Sequence, residues 1–177
     1  MLKSHRFFIS LPAFILLGAL FISCGKDLKQ TQSNLNAPLD DETKFARTLY
    51  GESTAVLLKG DLTSNGRDEA LAGIVKLKVN DNMYWIEKGG VIEKDKDSWK
   101  TILSMDNKLS STKGELISQA DAKYGYIIRI NNKQKPVSFT VTIANEYGKG
   151  ASDDAMIKWN QKNEAYEIAV ESDKSIQ

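Results

Sequence analysis

From Gly51 onward, apolar residues recur at every second position, and this alternation is the strongest constraint on the fold. In the segment 138–143, phenylalanine, valine and isoleucine alternate with serine and threonine. The segments 71–79 and 166–171 follow a similar pattern. Because successive side chains of a strand point to opposite faces, a period of two places the apolar residues on one face. We therefore predict half-buried β-strands through most of the chain.

Short turn sequences separate these strands and favour antiparallel neighbours. The turns are predicted at residues 80–82, 89–90, 96–98, 131–134 and 160–163. The strands are predicted at residues 53–59, 69–79, 83–88, 90–94, 98–105, 114–118, 124–131, 137–145, 154–159 and 164–170. The predicted fold class is mainly β, with an antiparallel meander that forms a twisted sheet, a sandwich or a partly closed barrel.

One short N-terminal helix is predicted before the strands begin, within residues 40–51. Three acidic residues stand at its start, where they complement the helix dipole. Phe45 and Leu49 lie four residues apart and form an apolar stripe, and Gly51 follows the last turn. We expect this helix to pack on one face or edge of the sheet.

The first 23 residues have the layout of a secretory signal peptide. A short basic head precedes an apolar run from Phe7 to Ile22, which ends at the small residue Ser23. The run is shorter than the roughly 20 apolar residues that a spanning helix needs, and it contains Pro12. We predict a cleaved signal peptide at residues 1–23.

The motif Phe21-Ile22-Ser23-Cys24 resembles the lipobox of bacterial lipoproteins, in a relaxed form similar to that of spirochaetes. The resemblance implies that the Cys24 thiol is alkylated by diacylglycerol and that the chain is cut just before it. Two or three acyl chains hold a protein stably at a bilayer, because each buried methylene contributes about 0.8 kcal/mol. The alternative is an incidental cysteine in a signal peptide that is cut elsewhere.

Cleavage at this site divides the chain into three parts. Residues 1–23 are removed, and residues 24–40, which are polar and without periodicity, form a flexible tether behind the lipidated cysteine. Residues 41–177 then form a single β-rich domain. We expect the protein to be lipid-anchored in the envelope of a diderm bacterium, in the outer membrane, on its surface or its periplasmic face.

The composition excludes several classes of activity. The only histidine is His5, in the signal peptide, and the only cysteine is Cys24. The domain therefore lacks the residues for Ser-His-Asp or Cys-His catalysis, for the usual zinc sites and for disulfides. The formal net charge is +1 and the charges are interspersed, so we expect no nucleic-acid partner.

The segment 60–71, GDLTSNGRDEAL, lies between two predicted strands. It resembles the calcium turn of FG-GAP and VCBS-type repeats, and more distantly the calcium loop of EF-hand proteins. The ligand set that the resemblance implies is Asp61, Thr63, Asn65, the backbone carbonyl of Arg67, and Glu69. Because two of these side chains are neutral, we expect at most a weak, millimolar calcium site and no required cofactor. The alternative is a plain structural turn, since Asn65 and Gly66 tolerate positive φ.

A second polar segment, residues 145–154, is a candidate binding loop. It contains two glycines and three acids, and loops of this length commonly display binding residues. The candidate contacts are Glu146, Tyr147, Asp153 and Asp154. The alternative is a connection between strands. The tryptophans at 85, 99 and 159 could line a ligand groove, but in alternating strands we expect large rings to fill the core or its rim.

Three functions remain open. The favoured one is a membrane-anchored lipoprotein without catalysis, whose domain is a binding or structural module that contacts another envelope or host protein. The second is a calcium-stabilised surface adhesion domain. The third is an envelope glycan hydrolase, which needs two carboxyl groups about 5 to 10 Å apart, one of them with a raised pKa. Asp153 or Asp154 with Glu146 would be the candidate pair.

Overall fold

The structure, a computed structural model, describes residues 39–117 and 122–169. The predicted signal peptide, Cys24 and the tether up to residue 38 lie outside the described residues, as do the predicted strand ends at 118 and 170. Within the described ranges, no helix combines the length and the apolar character needed to cross a bilayer.

Within the described residues, a short helix precedes ten antiparallel strands. The elements are α1 (Asp41–Tyr50), β1 (Ala55–Gly60), β2 (Glu69–Asn80), β3 (Met83–Asp95), β4 (Ser98–Asp106), β5 (Lys108–Ser111), β6 (Gly114–Ile117), β7 (Tyr126–Asn131), β8 (Ser138–Ile143), β9 (Ala155–Asn160) and β10 (Ala165–Ile168). Hydrogen bonds join them in the order β10-β9-β8-β7-β3-β4-β5-β6, with β2 also on β3 and β1 on β2. The predicted fold class is confirmed, because the chain is mainly β and antiparallel.

The long strand β3 bends the sheet. Its first residues, Met83 to Ile86, pair with β7, whereas Gly89 to Asp95 pair with β4. Strand β2 runs along the other side of β3. The bend carries β10 round until it contacts β4 and β5, so the sheet is nearly closed into a barrel. The remaining opening between β10 and β4–β5 is called the seam below.

Two details of the strand prediction are wrong. The predicted turn at Gly89-Gly90 lies inside the continuous strand β3. These glycines allow neighbouring strands to approach closely. A Cβ at Gly89 would lie 2.4 Å from the Ala72 carbonyl oxygen, and one at Gly90 would lie 2.2 Å from the Leu103 carbonyl oxygen, so neither position has room for a side chain. The prediction also lacks strand β5, because Leu109 is its only apolar residue and a single apolar residue shows no alternation.

The core fills the inside of the sheet. Its fully buried large side chains include Leu71, Ile86, Leu103, Ile128, Phe139, Ile157 and Tyr166. Helix α1 packs on the outside of β2 and β3, where Ala46 and Tyr50 meet Ala70 and Ala72. The helix therefore covers part of the outer face as predicted, with Phe45 partly buried against this cluster, whereas Leu49 of the predicted stripe is exposed.

The aromatic residues divide between the core and the outer rim. Tyr126, Tyr166 and Trp159 are buried, as expected for rings in alternating strands. Trp85 and Trp99 are only partly buried. The indole N–H of Trp85 donates to the Tyr124 carbonyl oxygen at 2.8 Å.

Candidate functional site

The loop between β1 and β2, residues 61–68, is tied to the connection between β7 and β8. The Leu62 side chain is buried in the main core. Its carbonyl oxygen accepts a hydrogen bond from the Val137 amide at 2.7 Å, and the Lys135 ammonium donates to the Asp61 carbonyl oxygen. These contacts hold the loop in place against the sheet.

The first residue of β2, Glu69, holds the same loop from inside. Its carboxylate Oε2 accepts the amides of Leu62 at 2.6 Å and Thr63 at 3.2 Å. The other oxygen, Oε1, accepts the Thr63 hydroxyl at 3.0 Å. Glu69 is 1% exposed, and this burial raises the pKa of its carboxyl, although the hydrogen bonds oppose the shift.

Glu93 lies directly opposite Glu69, on β3, and is also 1% exposed. Its Oε1 accepts Arg67 Nη1 at 2.7 Å and lies 3.0 Å from Lys100 Nζ. Its Oε2 accepts the Asn65 side-chain amide at 2.7 Å. Burial by itself raises the pKa of this carboxyl, but hydrogen bonds from these three side chains, led by Lys100, hold the pKa below its ordinary value.

The side-chain oxygens of the predicted calcium ligands take part in hydrogen bonds that shape the loop. The Asp61 carboxylate accepts the amides of Asn65 at 3.1 Å and Gly66 at 3.2 Å. The Asn65 side-chain oxygen accepts the Arg67 amide at 2.8 Å. Thr63 and Glu69, two further members of the set, bond to each other. In the part of the chain that the structure describes, no three His, Cys, Asp or Glu side chains are grouped to hold a metal ion. Calcium binding stays a prediction.

A cavity of about 290 Å³ opens at the seam, beside this loop. We call it the seam cavity. Its lining residues are Ser64, Asn65, Arg67, Glu93, Lys100, Ile102, Thr112, Trp159, Gln161 and Glu164. They come from the β1–β2 loop, from β3 and β4, from the β5–β6 turn and from the β9–β10 hairpin. The cavity therefore collects side chains from both sides of the opening.

The seam cavity has a basic wall and an apolar wall. The side chains of Arg67 and Lys100 are 46% and 45% exposed, so both cations keep access to solvent while they bind Glu93. The apolar wall consists of Ile102 and Trp159, which are largely buried. The cavity thus combines hydrogen-bond donors with a small apolar surface, a combination typical of ligand sites.

The predicted binding loop, residues 145–154, lies over a different part of the sheet. Gly148 sits on the Trp85 ring, where a Cβ would come within 2.5 Å of a ring carbon. The Asn145 side-chain oxygen accepts the amides of Tyr147 at 2.9 Å and Lys149 at 3.0 Å. This network gives the loop a defined shape, and Tyr147 is left 76% exposed.

The acids of the same loop have different roles. Glu146, Asp153 and Asp154 are all exposed, and the Asp154 carboxylate alone among them accepts a hydrogen bond from the Thr142 hydroxyl. Asp154 also lines a groove of about 140 Å³ together with Arg129. The loop and the β1–β2 turn therefore contribute to separate surfaces.

Glu93 and Lys100 are site residues that the sequence reasoning missed. A signal for the carboxylates exists in the alternation itself. Glu93 is two residues from the buried Val91, and Glu69 is two residues from the buried Leu71, so both acids occupy positions on the apolar face. An acid at such a position needs donors from elsewhere in the chain.

Comparisons with protein-family models, with curated proteins and with solved structures find no match to this chain.

Proposed function

We propose that this chain is a bacterial lipoprotein, held at a membrane by acylated Cys24, whose barrel is a non-catalytic binding module. The observation that carries the anchor is the position of Cys24, directly after Ser23 at the end of the apolar run. The bilayer is then the first partner, through the acyl chains. The proposed location is the outer membrane, on its surface or its periplasmic face.

The contacts of the buried carboxylates favour binding over hydrolysis. Glu69 and Glu93 both accept hydrogen bonds from fixed donors of the protein. They also line different cavities, since Glu69 borders a second one with Lys59 and Trp99. A hydrolase of the carboxylate type needs two acids that act on one substrate. Although Glu69 and Glu93 lie opposite each other in the sheet, they do not line a common cavity in which one substrate could meet both.

One observation favours surface adhesion as a second candidate. Among the described residues, Tyr147 is the most exposed large apolar side chain, at 76%, and the hydrogen bonds of Asn145 hold its loop in shape. Exposed tyrosines on ordered loops are common contact residues in protein interfaces. This candidate shares the anchor of the first and makes the exposed loop the contact with a host or envelope protein.

The anchor is tested by mass spectrometry of the mature chain, expressed with labelled palmitate in a diderm host. We expect a mass that corresponds to a chain beginning at Cys24 with acyl chains attached. The variant Cys24→Ser should lose the label and keep residues 1–23. An unmodified thiol, or a wild-type chain that keeps its leader, would contradict the proposal. Protease treatment of intact cells then separates a surface location, which gives cleavage, from a periplasmic one.

A further inference from the structure

We infer that the seam cavity binds a small organic anion, with the ligand's carboxylate held between Arg67 and Lys100. This inference deepens the proposed binding role and rests on it. It goes beyond the anchor, because it assigns a ligand class to a defined set of side chains. Three features of the cavity carry it: its fixed cations, its excess of donors and its size.

The two cations are held in place by one buried oxygen. Arg67 Nη1 and Lys100 Nζ lie 2.7 Å and 3.0 Å from the same Oε1 of Glu93. A more distant acid, Asp95, lies 3.5 Å from Lys100 Nζ. Because Glu93 already restrains both side chains, a ligand does not have to order them, and this lowers the entropic cost of binding.

Both cations keep donors for a ligand. A guanidinium carries five N–H groups and an ammonium carries three. Glu93 provides only Oε1 for both cations, because its Oε2 accepts the Asn65 side-chain amide. Asp95 beside Lys100 and Glu164 in the lining balance the two cations, so the attraction for a ligand anion comes from these unused donors and not from a net positive charge. A carboxylate is the ligand group that an arginine fork fits best, since it accepts two parallel hydrogen bonds.

The rest of the cavity limits the ligand to one negative charge. Glu164 lines the cavity and would repel a second carboxylate. Thr112 and Gln161 also line it, and both can donate hydrogen bonds. The lining therefore favours a ligand with a single anionic group.

The apolar wall and the volume limit the ligand to a short body. At about 290 Å³, the cavity is at the lower limit of ordinary ligand pockets, about 300 Å³. Trp159 packs edge-on against Tyr166, with ring centroids 5.2 Å apart, and it is largely buried, so it offers an edge rather than a broad face. This favours a short aliphatic body over a stacked sugar ring.

The test uses the full lipidated chain in detergent and measures binding by calorimetry at neutral pH. The probes are butyrate, butylamine, which has the same body and the opposite charge, and inorganic phosphate. We expect butyrate to bind, butylamine not to bind, and phosphate to bind more weakly than butyrate because it lacks an apolar body. Equal binding of phosphate would overturn the organic part of the inference, and binding of butylamine would overturn the charge assignment.

Three variants identify the site. Lys100→Gln keeps a donor for Glu93 and removes a charge, and we expect about ten-fold weaker butyrate binding. Glu164→Gln removes the repelling acid and should strengthen binding about two-fold. The matched control is Lys158→Gln, on the exposed face of β9 next to Trp159, which should bind as the wild type does.

Together, Lys100→Gln and Glu164→Gln distinguish a change in binding from a folding defect. A gain in Glu164→Gln cannot come from loss of structure, and melting curves without ligand check Lys100→Gln. If both variants bind butyrate like the wild type, or if the wild type does not bind it, the inference is wrong. The Cys24→Ser chain separates this outcome from failure of the anchor, because its cavity should bind butyrate unchanged.

Discussion

Glu69 and Glu93 face each other across β2 and β3, and each is 1% exposed, yet their pKa values move in opposite directions. The donors explain the difference. Glu69 accepts two neutral amides and a hydroxyl, which do not outweigh the cost of burial. Glu93 accepts hydrogen bonds from two cations and an amide, which do outweigh it. The degree of burial alone therefore does not determine the pKa of a buried carboxyl group; its hydrogen-bond donors matter as well.

The two glutamates also fix different parts of the same loop. Glu69 binds Leu62 and Thr63 near the beginning of the loop, and Glu93 binds Asn65 and Arg67 further along. Like charges directly opposite each other destabilise a sheet. This pair is compatible with the fold because each carboxylate has its own set of donors.

The largest effect is expected when the donors of Glu69 are left without an acceptor. Glu69→Ala should lower the free energy of unfolding by about 3 kcal/mol, since two buried amides lose their acceptor. Glu69→Gln should cost less than about 1 kcal/mol, because its amide oxygen can accept both N–H groups and its NH₂ can donate to the Thr63 hydroxyl. Urea unfolding at pH 7 measures both values. Equal losses in the two variants would mean that the charge matters more than the acceptor.

The same amide substitution should be tolerated less well at Glu93. Glu93→Gln takes the carboxylate away from Arg67 and Lys100, and we expect a loss of about 1 to 2 kcal/mol. The loss stays below that of Glu69→Ala because both cations are nearly half exposed, so water can solvate them when the carboxylate is gone. Urea unfolding beside Glu69→Gln gives the direct comparison. If glutamine costs more at 69 than at 93, the distinction between neutral and charged donors is wrong.

The opposite pKa shifts predict opposite effects on acid stability. For Glu93, the lowered pKa contributes stability that is present above its ordinary value of 4.5 and is lost as the pH falls through the folded-state pKa. For Glu69, the raised pKa contributes stability that is present below 4.5 and is lost as the pH rises through the folded-state pKa. The two contributions partly cancel in the wild type.

Each glutamine variant removes one of these contributions. Between pH 6 and about pH 4, Glu93→Gln should lose less stability than the wild type, and Glu69→Gln should lose more. Other acids with a lowered pKa, such as Asp81 and Glu167, contribute equally to all three chains. Melting temperatures across this range measure the slopes. Identical slopes would contradict the opposite shifts.

Much of the fold could be predicted from the sequence because the information is local. The alternation in segment 138–143 and the turn at 80–82 each depend on neighbouring residues only, and both correspond to the observed strands and hairpin. The glycines at 89–90 were misread because their role depends on the backbones of β2 and β4, which are distant in sequence. Local turn chemistry does not distinguish a turn from a close approach.

The candidate site was predicted in part for the same reason. The sequence singled out the β1–β2 loop, where Asp61 accepts amides four and five residues away. Glu93 accepts hydrogen bonds from Asn65 and Arg67, which are 28 and 26 residues away in sequence. A local motif cannot predict contacts between residues so far apart. Their existence follows only from the pairing of β2 with β3.

The smallest effect is expected at the exposed turn itself, where Asp61 has neither the burial of Glu69 nor the cations of Glu93. Asp61→Asn leaves one oxygen for the amides of Asn65 and Gly66 and should cost about 1 kcal/mol. The hydrogen-bond pattern predicts the same cost with and without millimolar calcium, whereas the calcium turn that the sequence resembles predicts a cost that grows when calcium is present. Melting temperatures of both chains, with calcium and with a chelator, decide between them. If calcium raises the melting temperature of the wild type and not that of Asp61→Asn, the Asp61 carboxylate binds calcium in place of the two amides.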